Sequence, residues 1–327
     1  MVELTVRLFF ATDSHGSEMV WRKWVSAATH YKVDILMLSG DITGKAIVPI
    51  IGPREDGTWV ATIFGQKLVA RNEEEVQQVY DKIAFSGYYP YVCTPEEVEE
   101  LKKDPKKVEQ LFDKVMVERL KAWIDFAEEK VPDNVDMYVM PGNDDSFVID
   151  PVLKQYPQRI ICPLDQVINL CYDFHMISCE WVNPTPWDTP RECSEKELWK
   201  KIWAQYEKFQ EVCDDNRKLI CNFHCPPYNT RLDLAPKLKG KGAQAQPIYV
   251  LGKPVMVHVG SKSVRKFIEK IQPLLGLHGH IHESYAFDYI GKTLVVNPGS
   301  EYTEGILRGY IIDFEKDKIA KYMKVEG

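Results

Sequence analysis

Between residues 4 and 12 the chain alternates and is rich in β-branched and aromatic side chains, a period-two pattern that predicts a strand. Met19, Val20, Trp24, Ala27 and Ala28 then fall at helical spacing behind Ser17, a suitable N-cap, so 17–30 reads as a helix. The run 34–39 (DILMLS) is apolar without alternation and stops at Gly40, as in a strand buried on both faces. Strand, helix and strand in succession make a βαβ unit. Both of its parallel strands end in polar clusters, DSHG and GD, and ligands of open α/β sheets bind at carboxyl strand ends. The unit therefore predicts that Asp13, His15 and Asp41 converge.

The pattern breaks at residue 44. Over 44–130 it predicts a hairpin, roughly 46–52 and 58–70, with turn signals at Gly52, Pro53 and Gly57 and a second turn at Gly65. Helices follow near 72–84 and 95–130. The span contains no His and reads as an inserted subdomain, not as catalytic machinery. The α/β pattern returns at 136–140 (DMYVM), a strand ending in PGNDD. Further strands are expected near 159–162, 166–171, 174–181 and 218–223, the last running into NFHCPP, with a helix at 195–213. Residues 226–256, rich in Pro, Gly and Lys, predict a long and partly mobile loop. A helix at 261–271 leads to an apolar strand, 274–278, that ends in HGHIH. Strands at 284–290, 293–297, 307–314 and 318–324 close the chain. The alternation of strands and helices places the chain in the α/β class. Residues 1–43 and 131–327 form the expected catalytic body, and 44–130 the insertion.

Composition narrows the picture. Of 327 residues, 45% are hydrophobic and 27% charged, which excludes wholesale disorder and collagen-like structure. No stretch approaches 18 apolar residues, so no transmembrane helix is expected. The first residues lack a basic region and a small-residue cleavage site, so the expected compartment is the cytoplasm. The eight Cys are scattered without a CxxC pair and fit reduced, buried thiols. Cys221 and Cys225 flank His224 but lack the second Cys/His pair of a zinc finger. A net charge of -7 argues against coating of DNA or an anionic membrane. Neither membrane binding nor stable nucleic-acid binding is therefore expected. Residues 44–130 hold 13 Lys and Arg against 17 Asp and Glu, so -4 of the -7 belongs to the insertion.

The chemistry lies at five predicted strand ends. They carry Asp13-Ser14-His15, Gly40-Asp41, Gly142-Asn143-Asp144-Asp145, His224 and Gly279-His280-Ile281-His282. Carboxylate, imidazole and amide oxygen are the donors of borderline divalent ions such as Mn, Fe, Zn, Co or Ni. No single cluster suffices, whereas five together can build a two-metal site. The glycines beside each motif permit tight turns and close backbone approach. The series DSH, GD, GND, H and GHIH, in that order and each after a strand, resembles the calcineurin-like metallophosphoesterase superfamily. The wording PGNDD and GHGHIHES is similar to its Icc-related phosphoesterases. The resemblance covers roughly 1–43 and 136–300.

That resemblance implies a four-layer α/β/β/α sandwich of two mixed sheets. It implies two divalent ions: Asp13, His15 and His282 on the first, Asn143, His224 and His280 on the second, and Asp41 bridging both. It implies hydrolysis of a small-molecule or nucleotide phosphoester by a hydroxide bridging the ions, which sit roughly 3.5–4 Å apart and depress the water pKa. Two divalent ions, less Asp13, Asp41 and that hydroxide, leave a net charge of about +1, suited to a phosphate transition state. The insertion would sit near the mouth of the cleft, because it leaves from the Asp41 strand end and returns to the Asn143 strand.

The third motif departs from the family's commoner GNH. Asp144 stands where a histidine assists the leaving group. An Asp donates a proton only if its pKa is raised, and nearby cations push it down. Activated esters are therefore expected, with phosphodiesters slightly favoured. A phosphomonoesterase acting on a nucleotide or phosphoprotein, and a metal-bound binding protein without turnover, remain the alternatives. Asp145 either orients Asp144, touching substrate, or caps a turn. His258, ahead of a helix start with Lys262 and Arg265 nearby, either helps bind phosphate or belongs to a solvated face. Asn297-Pro298-Gly299-Ser300 and Asn183-Pro184-Thr185-Pro186-Trp187 read as rigid turns or as substrate contacts. Phe85, Tyr88, Tyr89 and Tyr91 could stack a base, fill a subdomain core or join two copies of the chain.

Overall fold

A computed structural model describes residues 5–327, so Leu4, the first residue of the expected opening strand, lies outside the described residues. The chain begins with β1 (Val6–Ala11), α1 (Glu18–His30) and β2 (Ile35–Ser39). Next come β3 (Ile47–Ile51), β4 (Trp59–Ile63), β5 (Gln66–Ala70), α2 (Glu73–Phe85), β6 (Tyr89–Cys93), α3 (Pro95–Lys103) and α4 (Pro105–Lys130). Then follow β7 (Asp136–Met140), α5 (Asp150–Gln155), β8 (Ile160–Ile161), β9 (Ile168–Cys171), β10 (Phe174–Cys179), α6 (Glu195–Gln210) and β11 (Leu219–Phe223). Six short strands make an arm: β12 (Leu234–Pro236), β13 (Leu238–Lys239), β14 (Gln246–Pro247), β15 (Tyr249–Val250), β16 (Lys253–Pro254) and β17 (Met256–His258). The chain closes with α7 (Lys262–Ile271), β18 (Leu275–Leu277), β19 (Ala286–Ile290), β20 (Thr293–Asn297), β21 (Arg308–Glu315) and β22 (Lys318–Glu326).

Two six-stranded mixed sheets face each other, in the orders β22-β21-β1-β2-β7-β8 and β19-β20-β18-β11-β10-β9. In the first, β1, β2, β7 and β8 are parallel, β21 runs antiparallel to β1, and β22 runs antiparallel to β21. In the second, β10, β11, β18 and β20 are parallel, with β9 and β19 antiparallel at the edges. Alternation along each strand supplies both faces. Leu8, Phe10, Ile35 and Met37 meet Met176, Ile220, Leu275 and Leu277 between the sheets. Phe9, Ala11, Leu36 and Leu38 turn outward to α1 and α4, while Cys221, Phe223 and Val295 turn to α6 and α7. The result is the α/β/β/α sandwich. Because both faces of these strands are buried, their sequences read as unbroken apolar runs.

Residues 44–130 do not form one packing unit. A small sheet, β5-β4-β3-β6, has its own core of Val48, Ile50, Ala61, Ile63 and Ile83, the last from α2. Helix α4 instead buries Met116, Leu120, Trp123, Ile124 and Ala127 in the outer core of the first main sheet. Trp123 stacks on Trp21 of α1 with ring centroids 4.8 Å apart, and its carbonyl accepts the Trp21 indole N–H at 3.1 Å. The expected helix 95–130 is two helices, because Pro105 cannot continue α3; Asp104 caps the new one by accepting from Lys106 N–H at 3.1 Å. The aromatic stretch 85–91 hides β6, which pairs in parallel with β3. Tyr89 is buried there and its hydroxyl accepts the Gly44 N–H at 2.9 Å. The expected loop 226–256 is largely the paired arm. Among the described residues no helix is long and apolar enough to cross a membrane.

Candidate metal centre

The five polar strand ends lie at one edge of the sandwich and meet. Asp13, His15 and His282 offer ligand atoms within 4.8 Å of one another, and so do Asp41, His224 and His280. Asp41 Oδ2 lies 3.3 Å from His224 Nε2 and 3.6 Å from His15 Nε2, between the two groups. Asn143 joins the second group, its Oδ1 3.1 Å from His224 Nε2. The first two groups, with Asn143, correspond to the sets the family resemblance implies, while a third, His15, Asp41 and Asp144, crosses between them.

Local backbone explains how single residues from five turns aim inward. Asp13, His15, Asp41 and His280 all adopt left-handed φ, at 55°, 41°, 47° and 68°. Non-glycine residues avoid this region, at about 1–2 kcal/mol each, so the surroundings must enforce it. They do so by cross-links: His15 N–H donates to Asp41 C=O at 2.8 Å, and Asp13 N–H to Gly40 C=O at 3.0 Å. His280 N–H donates to Asp13 Oδ2 at 3.0 Å, and Asp144 N–H to Asp41 Oδ1 at 2.8 Å. Two glycines allow the close approach. A Cβ on Gly40 would lie 2.0 Å from His224 Nδ1, and one on Gly142 would lie 2.3 Å from Asp41 N and Oδ1.

Electrostatics fit a cation. Burial pushes His224 down, yet Asp41 and Asp13 together pull its pKa up to about 9. A proton on the imidazole thus takes the place a cation would fill. Burial and the neighbouring His224 lower His280 to about 4. Asp41, although buried, is held well below the usual carboxylate range by His224, His15 and His280. Asp13 Oδ1 is buried without a hydrogen-bond partner, and His15 Nε2 and His282 Nε2 stand 2.9 Å apart. An unsatisfied buried carboxylate oxygen among imidazole nitrogens suits divalent metal better than a protein-only network. The residues present therefore fit the implied ions.

The chain has the fold of two solved structures. One is TT1561 of Thermus thermophilus, at TM-score 0.51 and 13% identity, with 98% of this chain and 99% of that one covered. The other aligns at TM-score 0.57 and 16% identity over 98% and 99% of the two chains. At these identities the likeness is one of fold. No protein-family model matches the chain. A stretch of 171 residues, 52% of the chain, is 30% identical to the uncharacterized protein MJ1162 of Methanocaldococcus jannaschii; it spans 66% of that protein, just under two thirds.

Around these candidate ligands lies a cavity of about 830 Å³. His15, Asp41, Asn143, Asp144, His280 and His282 line its base; loop 184–190 and the arm supply largely apolar walls, including Pro186, Trp187, Pro236, Val257 and Val259. Lys45 also lines it and pairs with Asp144 Oδ2 at 2.7 Å. This lysine lies in the stretch read as free of catalytic machinery; a single Lys after GDITG carries no local signal, and only the fold brings it to Asp144. Among the protein's own groups, burial and Asp41 raise the pKa of Asp144, with Lys45 opposing.

The remaining candidates fall away from the cavity. Asp145 is fully buried and accepts from Gly142 N–H at 2.8 Å, Ile42 N–H at 3.0 Å and Thr43 N–H at 2.8 Å. It ties the Asp41 turn to the Asn143 turn; burial and Asp41 push it up to about 6. His258 turns to Asp233, Nδ1 to Oδ1 2.7 Å, while its strand neighbours Val257 and Val259 face the cleft. The helix start behind it holds no free anion site: Glu195 accepts from Ser261 Oγ at 2.8 Å, Lys262 N–H at 2.9 Å and Ser263 N–H at 2.8 Å. His278 Nδ1–H donates to the Phe223 and Cys225 carbonyls, 2.8 and 3.0 Å away, and burial lowers its pKa to about 4. It is therefore a neutral donor that braces the His224 strand end. Asn297 does the same for the GHIH turn, donating to the carbonyls of Leu232, Gly279 and Ile281 at 3.2, 3.1 and 3.0 Å. Ser300 Oγ donates to Asp13 C=O at 2.7 Å.

Proposed function

We propose that the chain is a metal-dependent phosphoesterase with a preference for diesters. The observation that carries this is the meeting of the two ligand groups, joined through Asp41, at the base of a cleft large enough for an organic phosphate. Asp13, His15 and His282 would hold one divalent ion, Asn143, His224 and His280 the other, and Asp41 both. When bound, the ions would supply Lewis acidity toward phosphoryl oxygens and a water of lowered pKa.

The chain's own residues define the rest. The apolar walls exclude bulk water from the base and accept the organic part of an ester. Lys45, kept charged by Asp144 against its burial, holds that carboxylate in place beside His15. The pair contributes no net charge, so nothing beyond the ions offsets the second charge of a monoester. A singly charged diester needs no such offset, which supports the diester preference.

The test is a matrix of Mn, Fe, Zn, Co and Ni against bis- and mono-nitrophenyl phosphates, with Asp41→Asn as control. The expected result is metal-dependent turnover, faster on the diester, that Asp41→Asn lowers on the order of a thousandfold. A faster monoester would mark a phosphomonoesterase. Binding of metal without turnover of any ester would sink the enzymatic reading.

A further inference from the structure

Residues 234–258 carry Lys237, Lys239, Lys241 and Lys253 and no Asp or Glu, in a chain of net charge -7. Charges act over about 10 Å at moderate salt, so this arm presents its own field whatever the whole chain carries. Its base lines the cleft through Pro236, Leu238 and Pro247, and Gly242 N–H ties it to Pro186 C=O at 2.8 Å. Its outer end is the β15–β16 hairpin, in which Tyr249 pairs with Pro254 and Val250 with Lys253.

The turn of that hairpin is Leu251-Gly252, with φ of 51° and 75°. Two positive φ values mark the type I′ geometry that favours Asn-Gly. A leucine in the first position is disfavoured by its Cβ, and packing does not compensate. Leu251 is 98% exposed, Tyr249 61% and Val250 59%. Three consecutive apolar side chains thus project from a basic arm, one of them against the preference of its own backbone.

We propose that this hairpin docks the protein on an anionic lipid surface, with Tyr249, Val250 and Leu251 entering the headgroup region and the lysines meeting the charged headgroups. Apolar side chains combined with basic ones are what interfacial binding requires. A two-residue apex is convex and far smaller than the roughly 800 Å² per partner of a stable protein interface. Tyr249 gives a single aromatic face, and the aliphatic Val250 and Leu251 beside it offer none, so successive single-stranded bases find no stacking platform. The docking does not depend on the catalytic reading.

The experiment is co-sedimentation of the full-length protein with phosphatidylcholine vesicles, with and without phosphatidylserine, at low and high salt. Binding is expected only with phosphatidylserine and weakens as salt rises. Leu251→Asn, which suits the turn, is expected to lower partitioning about tenfold while leaving the unfolding midpoint unchanged. Lys239→Gln with Lys241→Gln and Lys253→Gln is expected to weaken binding to the same vesicles. No binding to phosphatidylserine vesicles overturns the proposal, as does binding that Leu251→Asn leaves unchanged. Displacement from vesicles by a single-stranded oligonucleotide whose affinity is insensitive to Leu251→Asn overturns it too, in favour of a nucleic-acid site.

Discussion

Asn143 presents its amide oxygen to His224 because its nitrogen is engaged elsewhere. Nδ2 donates to Thr189 Oγ1 at 2.9 Å, and the Thr189 hydroxyl donates onward to Glu192 Oε1 at 2.7 Å. With its hydrogen committed to Glu192, the hydroxyl can only accept from Asn143, and the amide cannot flip. Groups that orient a ligand in this way are worth 10- to 100-fold in metal affinity. Thr189→Ala is thus expected to weaken Mn binding by about that factor in calorimetry, and Thr189→Ser to restore it. Asp144 poses a different question at the same scale. Its contact with Lys45 makes it a positioning group, so Asp144→Ala should slow nitrophenyl and alkyl esters by the same factor. A loss that grows as the leaving group worsens would make Asp144 the proton donor. His224 gives the pH dependence. In the metal-free protein its pKa is about 9 against an ordinary 6.5. A raised value stabilises fully below pH 6.5 and is lost as pH rises through about 9. Urea unfolding of chelated protein should therefore show a loss of up to about 3 kcal/mol over that window, absent in His224→Asn.

Elements carry these residues, and the elements differ in what they stabilise. Helix α4 follows the small sheet in sequence but packs on α1 through Trp123 and Trp21. Trp123→Ala should then destabilise the whole molecule by about 3–5 kcal/mol in denaturant. Equal losses for secondary structure and for metal binding, in a single transition, are the expected signature. A separate transition of 105–130 would contradict this packing. The strand ends illustrate what an element's sequence reveals. Strand β2 is legible because ILMLS is apolar on both faces, and its terminus because Gly40 and Asp41 follow. Strand β6 is not, since YPYVC contains a proline and opens among aromatics that fit a helix end or a loop equally well. It becomes a strand through its pairing with β3, some 40 residues earlier.

At the scale of the molecule, the sandwich brings five separate strand ends into one candidate site, so each of its side chains depends on contacts far away in sequence. His282 reaches His15 across 267 residues, and Asp313 holds Arg7 across 306. Sequence alone determined which residues could be ligands. Local hydrophobic period reports burial, strand ends carry the polar clusters, and carboxylate, imidazole and amide types limit the chemistry; the choice of Asp13, His15, Asp41, Asn143, His224, His280 and His282 among those clusters is what the family resemblance implies. Tertiary structure decided the rest. It placed Lys45 against Asp144, withdrew His258 and Asp145 from the cleft, filled the α7 helix start with Glu195 and left Leu251 bare at the tip of a basic arm. The reason is physical: a residue's type and period are properties of a few neighbours, whereas the partner it meets depends on strand order and on turns whose left-handed backbone only the assembled fold can enforce.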